Sequence, residues 1–425
     1  MINILGSPDA GRAKLGLRAY GNQFVKGDRV FRGIGVNHFA LLLRQVDSAL
    51  GTAVDYSADM TAIKQTWGLP FIRLAAGWYS RSTWFNKWYS AKAAYLAAFD
   101  AIVAKAEALG LGLIPCLFWD LKGFTDATYD VYGSRSNLPN LASKSSNAWA
   151  LASEFVSDIV SRYRSSPAIW GWEIANEATG NTGPEYWPTW ALDGTGVDGG
   201  SSPLPSSLNW GAPPEGGAYA AGDKMSMANY LKFSNDCKTL IQQLDGYGRI
   251  VISGNGQGNS FAVGAQTANS LTADTLAKWN AAVGAMSWPV YRDQSSTVIS
   301  YHSYPLSLSN SQFFNGAEKT AAQMIALFKG WADAVNKPFF LGEFGATYIG
   351  HGSQPDEISS TSGEEATNFN AILSAITAND IQLSAAWNYG GDLAGASTWQ
   401  YWKMSDATKT YQLTAIAAAN AAMNN

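Results

Sequence analysis

Apolar residues in this chain fall into two alternating patterns. Short runs that are hydrophobic on both faces, bounded by turn residues, recur at 30–37 (VFRGIGVN), 70–75 (PFIRLA), 111–118 (LGLIPCLF), 168–175 (AIWGWEIA), 249–254 (RIVISG), 297–302 (TVISYH), 338–343 (PFFLGE) and 381–388 (IQLSAAWN). Runs of this kind predict fully buried parallel strands. Between them lie amphipathic stretches at helical spacing. Residues 91–109 place Leu96, Phe99, Val103 and Ala106 on one stripe and stop at Gly110, and 147–164 places Leu151, Phe155 and Ile159 four apart. The same period predicts helices over 223–244, 317–335, 364–378 and 408–423, whereas the links 38–54 and 255–270 are less clear. Ahead of the first run, 14–30 reads as two short strands, with Lys26-Gly27-Asp28 turning between 22–25 and 29–31.

Strands alternating with helices are βα units around a parallel sheet. The spacing of strand ends from Asn37 to Asn388 averages about 50 residues per unit, slightly long for a (β/α)8 barrel. The expected fold class is therefore α/β: one (β/α)8 TIM barrel spanning 1–425 as a single domain. It carries an N-terminal β-hairpin over 1–29 and a long Gly-, Pro- and Ser-rich insertion over 178–222 after strand four. An insertion of that length in a compact domain is usually functional, and this one holds Tyr186, Trp187, Trp190 and Trp210. A doubly wound open sheet is the alternative, but it more often shows a Gly-rich first turn.

Composition narrows the function. The 29 basic and 33 acidic residues give a net charge of -4, which excludes an electrostatic grip on nucleic acid as the main activity. Only 15% of residues are charged, against 17 Trp, 19 Tyr and 42 Gly. That balance suits an uncharged, ring-shaped ligand such as a glycan; a large aromatic core is the plainer account. No phosphate loop, dinucleotide motif or Cys/His metal spacing occurs, so no metal or organic cofactor is implied. Cys116 and Cys237 read as buried small hydrophobes rather than a disulfide framework. No apolar stretch is long enough to span a membrane. Residues 1–18 lack a signal-peptide core, so the expectation of a secreted or extracellular protein rests on the glycan reading alone.

Catalytic groups of such barrels sit at the C-terminal ends of strands. In a chain poor in charge, the fourth strand runs into Asn176-Glu177 and the seventh into Glu343. A carboxylate at the end of an apolar strand costs free energy unless it is paired or used. Either Glu alone could equally be a salt-bridged structural group, but two on strands four and seven favour a catalytic pair. Paired carboxyls suit glycoside hydrolysis, one protonating the leaving oxygen and the other attacking the anomeric carbon or activating water.

The residues around these carboxyls carry a resemblance. WEIANE (Trp172 to Glu177) resembles the Asn-Glu acid/base motif of clan A glycoside hydrolases, and FLGEFG (Phe340 to Gly345) their nucleophile motif. The chain is most similar to glycoside hydrolase family 5, the cellulase and β-mannanase family, from GIGVNH (Gly33 to His38) to AWNYG (Ala386 to Gly390). The resemblance implies that Glu177 is the general acid/base and Glu343 the nucleophile of a retaining, double-displacement reaction on a β-linked polysaccharide. It further implies that Asn176 binds the sugar 2-hydroxyl and that Arg73 keeps Glu343 ionised. By the same match, Tyr304 bonds Glu343, His302 lines the subsite near the acid, and Trp387 is a platform under the sugar.

His38 falls at a strand end as a candidate binding residue or a structural His. Trp78 and Trp119, with Trp84 and Trp88, are candidate subsite aromatics, about half of which should be structural. Trp170, Trp67 and Trp331 look like core. Strand three ends CLFWD (Cys116 to Asp120), without the His many family members carry there, which leans towards mannanase-like enzymes. The expected partner is a polysaccharide or oligosaccharide of β-mannan or β-glucan type, met by a monomer with no nucleic acid and no membrane span. A depolymerase domain of a larger assembly such as a phage tail, or a non-catalytic glycan-binding barrel, is the alternative.

Overall fold

The computed structural model of the chain describes residues 15–46, 56–78, 80–177, 223, 225, 227–254, 295–303, 321–348, 358–359, 362–390 and 402–424. The 178–222 insertion, and Tyr304 with it, lie outside these residues. All eight expected barrel strands are present: β4 (Gly33–Asn37), β5 (Phe71–Ala75), β6 (Gly112–Phe118), β7 (Gly171–Ala175), β8 (Ile250–Ile252), β9 (Ile299–Ser303), β10 (Phe339–Phe344) and β13 (Leu383–Ala386), while the short β11 (Thr347–Tyr348) and β12 (Ile358–Ser359) pair separately with each other. They pair in parallel in the order β8-β7-β6-β5-β4-β13-β10-β9. A parallel bridge from Ile252 to Val298, and a 3.0 Å bond from Thr297 N to Val251 O, join the two ends of that order. The sheet is thus rolled into a (β/α)8 barrel.

Two apolar layers hold it. Residues that alternate inward, among them Phe71, Ile114, Ile250, Ile252, Phe340 and Leu383, fill the lower interior with Leu17, Phe24 and Trp170. Residues facing the other way, such as Ile72, Leu74, Leu113, Trp172 and Ile174, join the helices in one large outer core. Period-2 alternation inside a helical ring is what a strand buried on both faces requires.

The N-terminal segment differs from a two-stranded hairpin. The turn at 27–28 is as expected, but a second hairpin precedes it, giving a three-stranded sheet of β1 (Leu17–Tyr20), β2 (Gln23–Lys26) and β3 (Arg29–Val30). Gly21, at φ +57, supplies the left-handed residue that a tight turn between β1 and β2 needs. The sheet sits under the strand N-termini. Leu17 N bonds Trp170 O at 2.7 Å, Phe24 N bonds Gln382 Oε1 at 2.8 Å, and Lys26 Nζ lies 3.8 Å from the Trp170 ring centroid.

The expected helices form at Lys92–Leu109, Asn147–Tyr163, Met227–Asp245, Ala321–Ala334, Ser362–Ala378 and Thr410–Asn424. Gly110, at φ +61, ends the first in a left-handed cap, and Ser146 caps the second by accepting from Trp149 N. Helical turns also form where the sequence pattern predicts no helix. Arg81–Tyr89 is helical after strand two, and Leu121–Tyr132 after strand three. The second begins at Asp120, whose carboxylate accepts from Lys122 N and Gly123 N, and ends at Gly133 with φ +74. Among the described residues, no helix is long and apolar enough to cross a membrane.

Candidate active site

The upper ends of the strands bring a polar cluster into the barrel mouth. Arg73 on β5 is fully buried and forms its hub. Its Nε donates to Glu173 Oε2 at 2.5 Å, Nη1 to Asn37 Oδ1 at 2.8 Å and to Glu343 Oε1 at 2.7 Å, and Nη2 to Asn176 Oδ1 at 2.7 Å. One guanidinium therefore ties β4, β7 and β10 to β5. Its planar fork of donors suits that task in a way a lysine ammonium would not. Burial acts to lower the Arg73 pKa, but the Glu173 and then the Glu343 carboxylates outweigh it and raise the pKa, so the group stays charged.

Glu343 reaches this cluster because β10 is irregular. The register against β9 breaks between Leu341 and Glu343, and against β13 between Leu341 and Phe344. Phe340 belongs to the interior cluster and Leu341 to the outer core, so strict alternation would turn Glu343 outward with Leu341. The bulge resets the alternation and aims the carboxylate inward. Gly342 occupies the break, where a Cβ would come within 2.8 Å of His302 Nε2.

Glu177 follows β7 in the left-handed region at φ +42, rare for a residue with a side chain and worth about 1–3 kcal/mol of strain. Asn176 N extends the sheet through a 2.8 Å bond to Phe118 O. Because Asn176 Oδ1 accepts from Arg73, the amide is fixed with its NH2 group turned away from the guanidinium. His302 on β9 faces both carboxylates, with Nδ1 2.8 Å from Glu177 Oε1 and 3.5 Å from Glu343 Oε2. Burial pushes the His302 pKa down to about 4 against the pull of Glu343, so the ring is neutral near pH 7. Glu177, His302 and Glu343 each place a donor atom within 4.8 Å of the others. Two carboxylates and an imidazole could in principle hold a cation. Here their bonds to one another and to Arg73 already engage them, and the arrangement suits proton transfer.

The aromatic candidates separate into two groups. Trp387, just after β13, stacks on Trp119, just after β6, at 5.9 Å and 26°, with Phe39 against both. The three belong to one small cluster at the strand ends with Ala75, Cys116 and Trp402. The Arg73 guanidinium lies 5.0 Å from the Trp119 ring centroid, which ties this wall to the carboxylate cluster. Trp78 is not brought there. The turns after β5 fold it into the outer core, 5.8 Å from Tyr95 and 6.3 Å from Trp84, whose Nε1 donates to Trp78 O. Trp84 and Trp88 are buried in the same core. Trp170 and Trp331 are core residues as expected, and Trp67 is half-buried against that core.

His38 is fully buried and stands behind the site. Its Nε2 pairs with Asp59 Oδ2 at 3.0 Å, and its ring lies between Tyr56 and Tyr389. Cys116 and Cys237 are buried free thiols. The sequence reading missed three members of the cluster and its support. Glu173 lies between Trp172 and Ile174, which face the outer core, so period-2 alternation could have placed it on the inward face of β7. Asn37 ends β4 and also donates to Gly342 O at 3.0 Å. Asp59 lies on Tyr56–Thr61, a helix with no clear signal in the sequence.

Comparison with known proteins adds the family. The model of the Cellulase family (glycosyl hydrolase family 5) matches residues 34–392. A probable mannan endo-1,4-β-mannosidase A-1 of Aspergillus terreus is 39% identical over 84 residues, 19% of this chain and 21% of that protein. A mannan endo-1,4-β-mannosidase A of Podospora anserina is 24% identical over 186 residues, 42% of this chain and 48% of that protein. The match thus spans about a fifth and about half of the length of these two relatives. The crystal structure of an endo-1,4-β-mannanase from Rhizomucor miehei superposes with a TM-score of 0.60 at 16% identity, covering 96% of this chain and 99% of that one. The chain belongs to the Cellulase family, glycosyl hydrolase family 5.

Proposed function

We propose that the protein is a retaining glycosidase that cuts a β-1,4-linked polysaccharide of mannan type, with Glu343 as nucleophile and Glu177 as acid/base. The observation that carries this reading is the approach of the two carboxyls, with oxygens within 4.8 Å of each other at the ends of strands four and seven. Retaining pairs stand about 5–5.5 Å apart, whereas inverting pairs need about 6.5–9.5 Å to admit a water.

In the first step a Glu343 oxygen attacks the anomeric carbon while the proton of Glu177 passes to the departing glycosidic oxygen. The carbon–oxygen bond breaks and a glycosyl ester forms. In the second, Glu177 takes a proton from water, the water oxygen attacks the same carbon from the opposite face, and the ester bond returns its electron pair to Glu343. Arg73 stabilises the charged form of Glu343 that must attack. His302, neutral and hydrogen-bonded to Glu177, can hold that carboxyl in place without competing for charge. In this reading the Asn176 amide binds the 2-hydroxyl of the sugar, the Tyr304 hydroxyl bonds Glu343, and the Trp119–Trp387 wall meets a sugar face.

Two lines favour mannan. Strand three ends in Trp119 where many family members have His, and both curated relatives are named as mannan endo-1,4-β-mannosidases. A polymeric substrate also makes the extracellular space the natural place of action. Release of reducing ends from β-1,4-mannan and from β-1,4-glucan, with Glu343→Gln and Glu177→Ala alongside, tests the reading. Glu343→Gln should be inactive on every substrate, and Glu177→Ala should keep activity only on aryl glycosides whose leaving group needs no proton. Full activity of either variant on the polymer would overturn the assignment, and preference for glucan would overturn the substrate.

A further inference from the structure

The mouth cluster holds a third carboxylate that the two-step reaction does not use. Glu173 is fully buried on β7, and its Oε2 accepts a hydrogen bond from Arg73 Nε. Its Oε1 is also buried and, among the described residues, has no nitrogen or oxygen partner, while the Cys116 thiol, a weak donor, faces the same carboxylate. A carboxylate kept in an apolar barrel with one oxygen met by at most a weak donor is costly, and a neutral residue of similar shape would normally be the more stable choice. The position therefore carries a cost that packing does not explain.

Arg73 offers the explanation. Glu173 approaches it along Nε, on the edge of the guanidinium away from the tips, while Glu343 takes Nη1 and Asn176 takes Nη2. A buried guanidinium held at Nε cannot rotate about its last bonds, so the two tips stay aimed at Glu343 and Asn176. The same contact divides the positive charge. One cation faces two carboxylates, both with side chains at most 5% exposed. A carboxylate that had the whole cation to itself in a dry interior would be strongly stabilised before the reaction and correspondingly slow to attack.

We propose that Glu173 is a positioning residue for the nucleophile: its carboxylate locks Arg73 at Nε and takes a share of its positive charge, setting how tightly the cation holds Glu343. The inference rests on the proposed role of Glu343. Among the described residues, the titratable groups facing that carboxyl are Arg73 from β5, Cys116 from β6, Glu173 from β7, Glu177 beyond it and His302 from β9, to which the proposed mechanism adds Tyr304. His302 is neutral near pH 7. The Cys116 thiol is pushed well above its ordinary range by burial first and by the Glu173 charge next, so it stays protonated. Arg73 and Glu173 are thus the charges that flank Glu343 on its inner side.

The test follows Glu343 directly. Protein labelled with 13C at the glutamate side-chain carboxyl is titrated by NMR, and the Glu343 signal is identified by its absence in Glu343→Gln. Glu173→Gln keeps an acceptor for Arg73 Nε and removes the competing charge, so the Glu343 midpoint should fall by about one pH unit. Glu173→Asp keeps the charge but draws it back by one methylene, so the midpoint should fall by less, and this variant serves alone if the Gln variant does not fold. A merely structural Glu173 would lower the melting temperature and leave the midpoint where it is, and that result overturns the proposal. Hydrolysis of glucomannan by Glu343→Gln keeps the two claims apart. Turnover by that variant would sink the nucleophile assignment, whereas loss of turnover with an unmoved midpoint would sink the role of Glu173 alone.

Discussion

His302 Nδ1 lies 2.8 Å from Glu177 Oε1, and the same nitrogen lies 3.5 Å from Glu343 Oε2. One neutral ring therefore stands between the two carboxyls that the proposed reaction alternates between acid and base. The ring is fully buried, and burial lowers its pKa from 6.5 to about 4. A histidine held neutral in the fold binds its proton less tightly than in the unfolded chain. Its contribution to stability is therefore complete above about pH 6.5 and is lost as the pH falls through 4. The expected loss is on the order of 3 kcal/mol. Thermal melts of His302→Gln should show a smaller drop between pH 7 and pH 4 than the parent protein. An equal drop in both would mean that the ring is not the group responsible.

Asp120 acts in the same window with the opposite sign. Burial raises its pKa from 3.8 to about 6, against the lowering effect of the bonds from Gly123 N and Lys122 N. A carboxyl that binds its proton more tightly when folded stabilises the protein fully below about pH 4, and that stabilisation is lost as the pH rises through 6. Asp120→Asn keeps a capping acceptor for the helix Leu121–Tyr132 and removes the charge. The variant should lose stability more steeply than the parent on going from pH 7 to pH 4. Parallel melting curves would contradict this.

Gly254 supports the acid/base residue through the backbone. It stands at φ +79 just beyond β8, and a Cβ there would fall 1.6 Å from Ala175 O, two residues before Glu177. That neighbour is main chain and cannot swing aside. Gly254→Ala should cost about 2–4 kcal/mol in denaturant melts and lower kcat by about a hundredfold through displacement of Glu177. A variant of parental stability and activity would mean that the end of β7 can shift freely.

The barrel was legible because its strands announce themselves twice, once as apolar runs and again as runs ending in polar residues at the mouth. Glu177 and Glu343 could be picked out because each ends such a run, whereas Arg73, Asn176 and His302 were picked out through the resemblance to family 5. What the sequence hid was geometry that departs from a simple period. The bulge at Gly342, which turns Glu343 inward, leaves no mark in FLGEFG. Trp78 reads like a cleft residue because it follows a strand, yet Arg81–Tyr89 is helical and rolls it into the core. The helix Leu121–Tyr132 keeps a helical period in Leu121, Phe124 and Val131, with Asp120 before it and Gly133 after it, but its polar residues Lys122, Thr125 and Asp126 made the segment read as a loop although they are buried. Glu173 was legible by alternation alone, but it sits inside the strand and not at its end.

The account as a whole turns on which atom bonds to the sugar. Incubation with an activated 2-deoxy-2-fluoro-β-mannoside, followed by peptide mapping in a mass spectrometer, tests that most directly, since the fluorine slows release of a covalent intermediate. A single glycosyl adduct on the peptide that contains Glu343, absent in Glu343→Gln, is the expected result. An adduct on Glu177 or Glu173, or steady cleavage of mannan by a protein that never forms one, would contradict it.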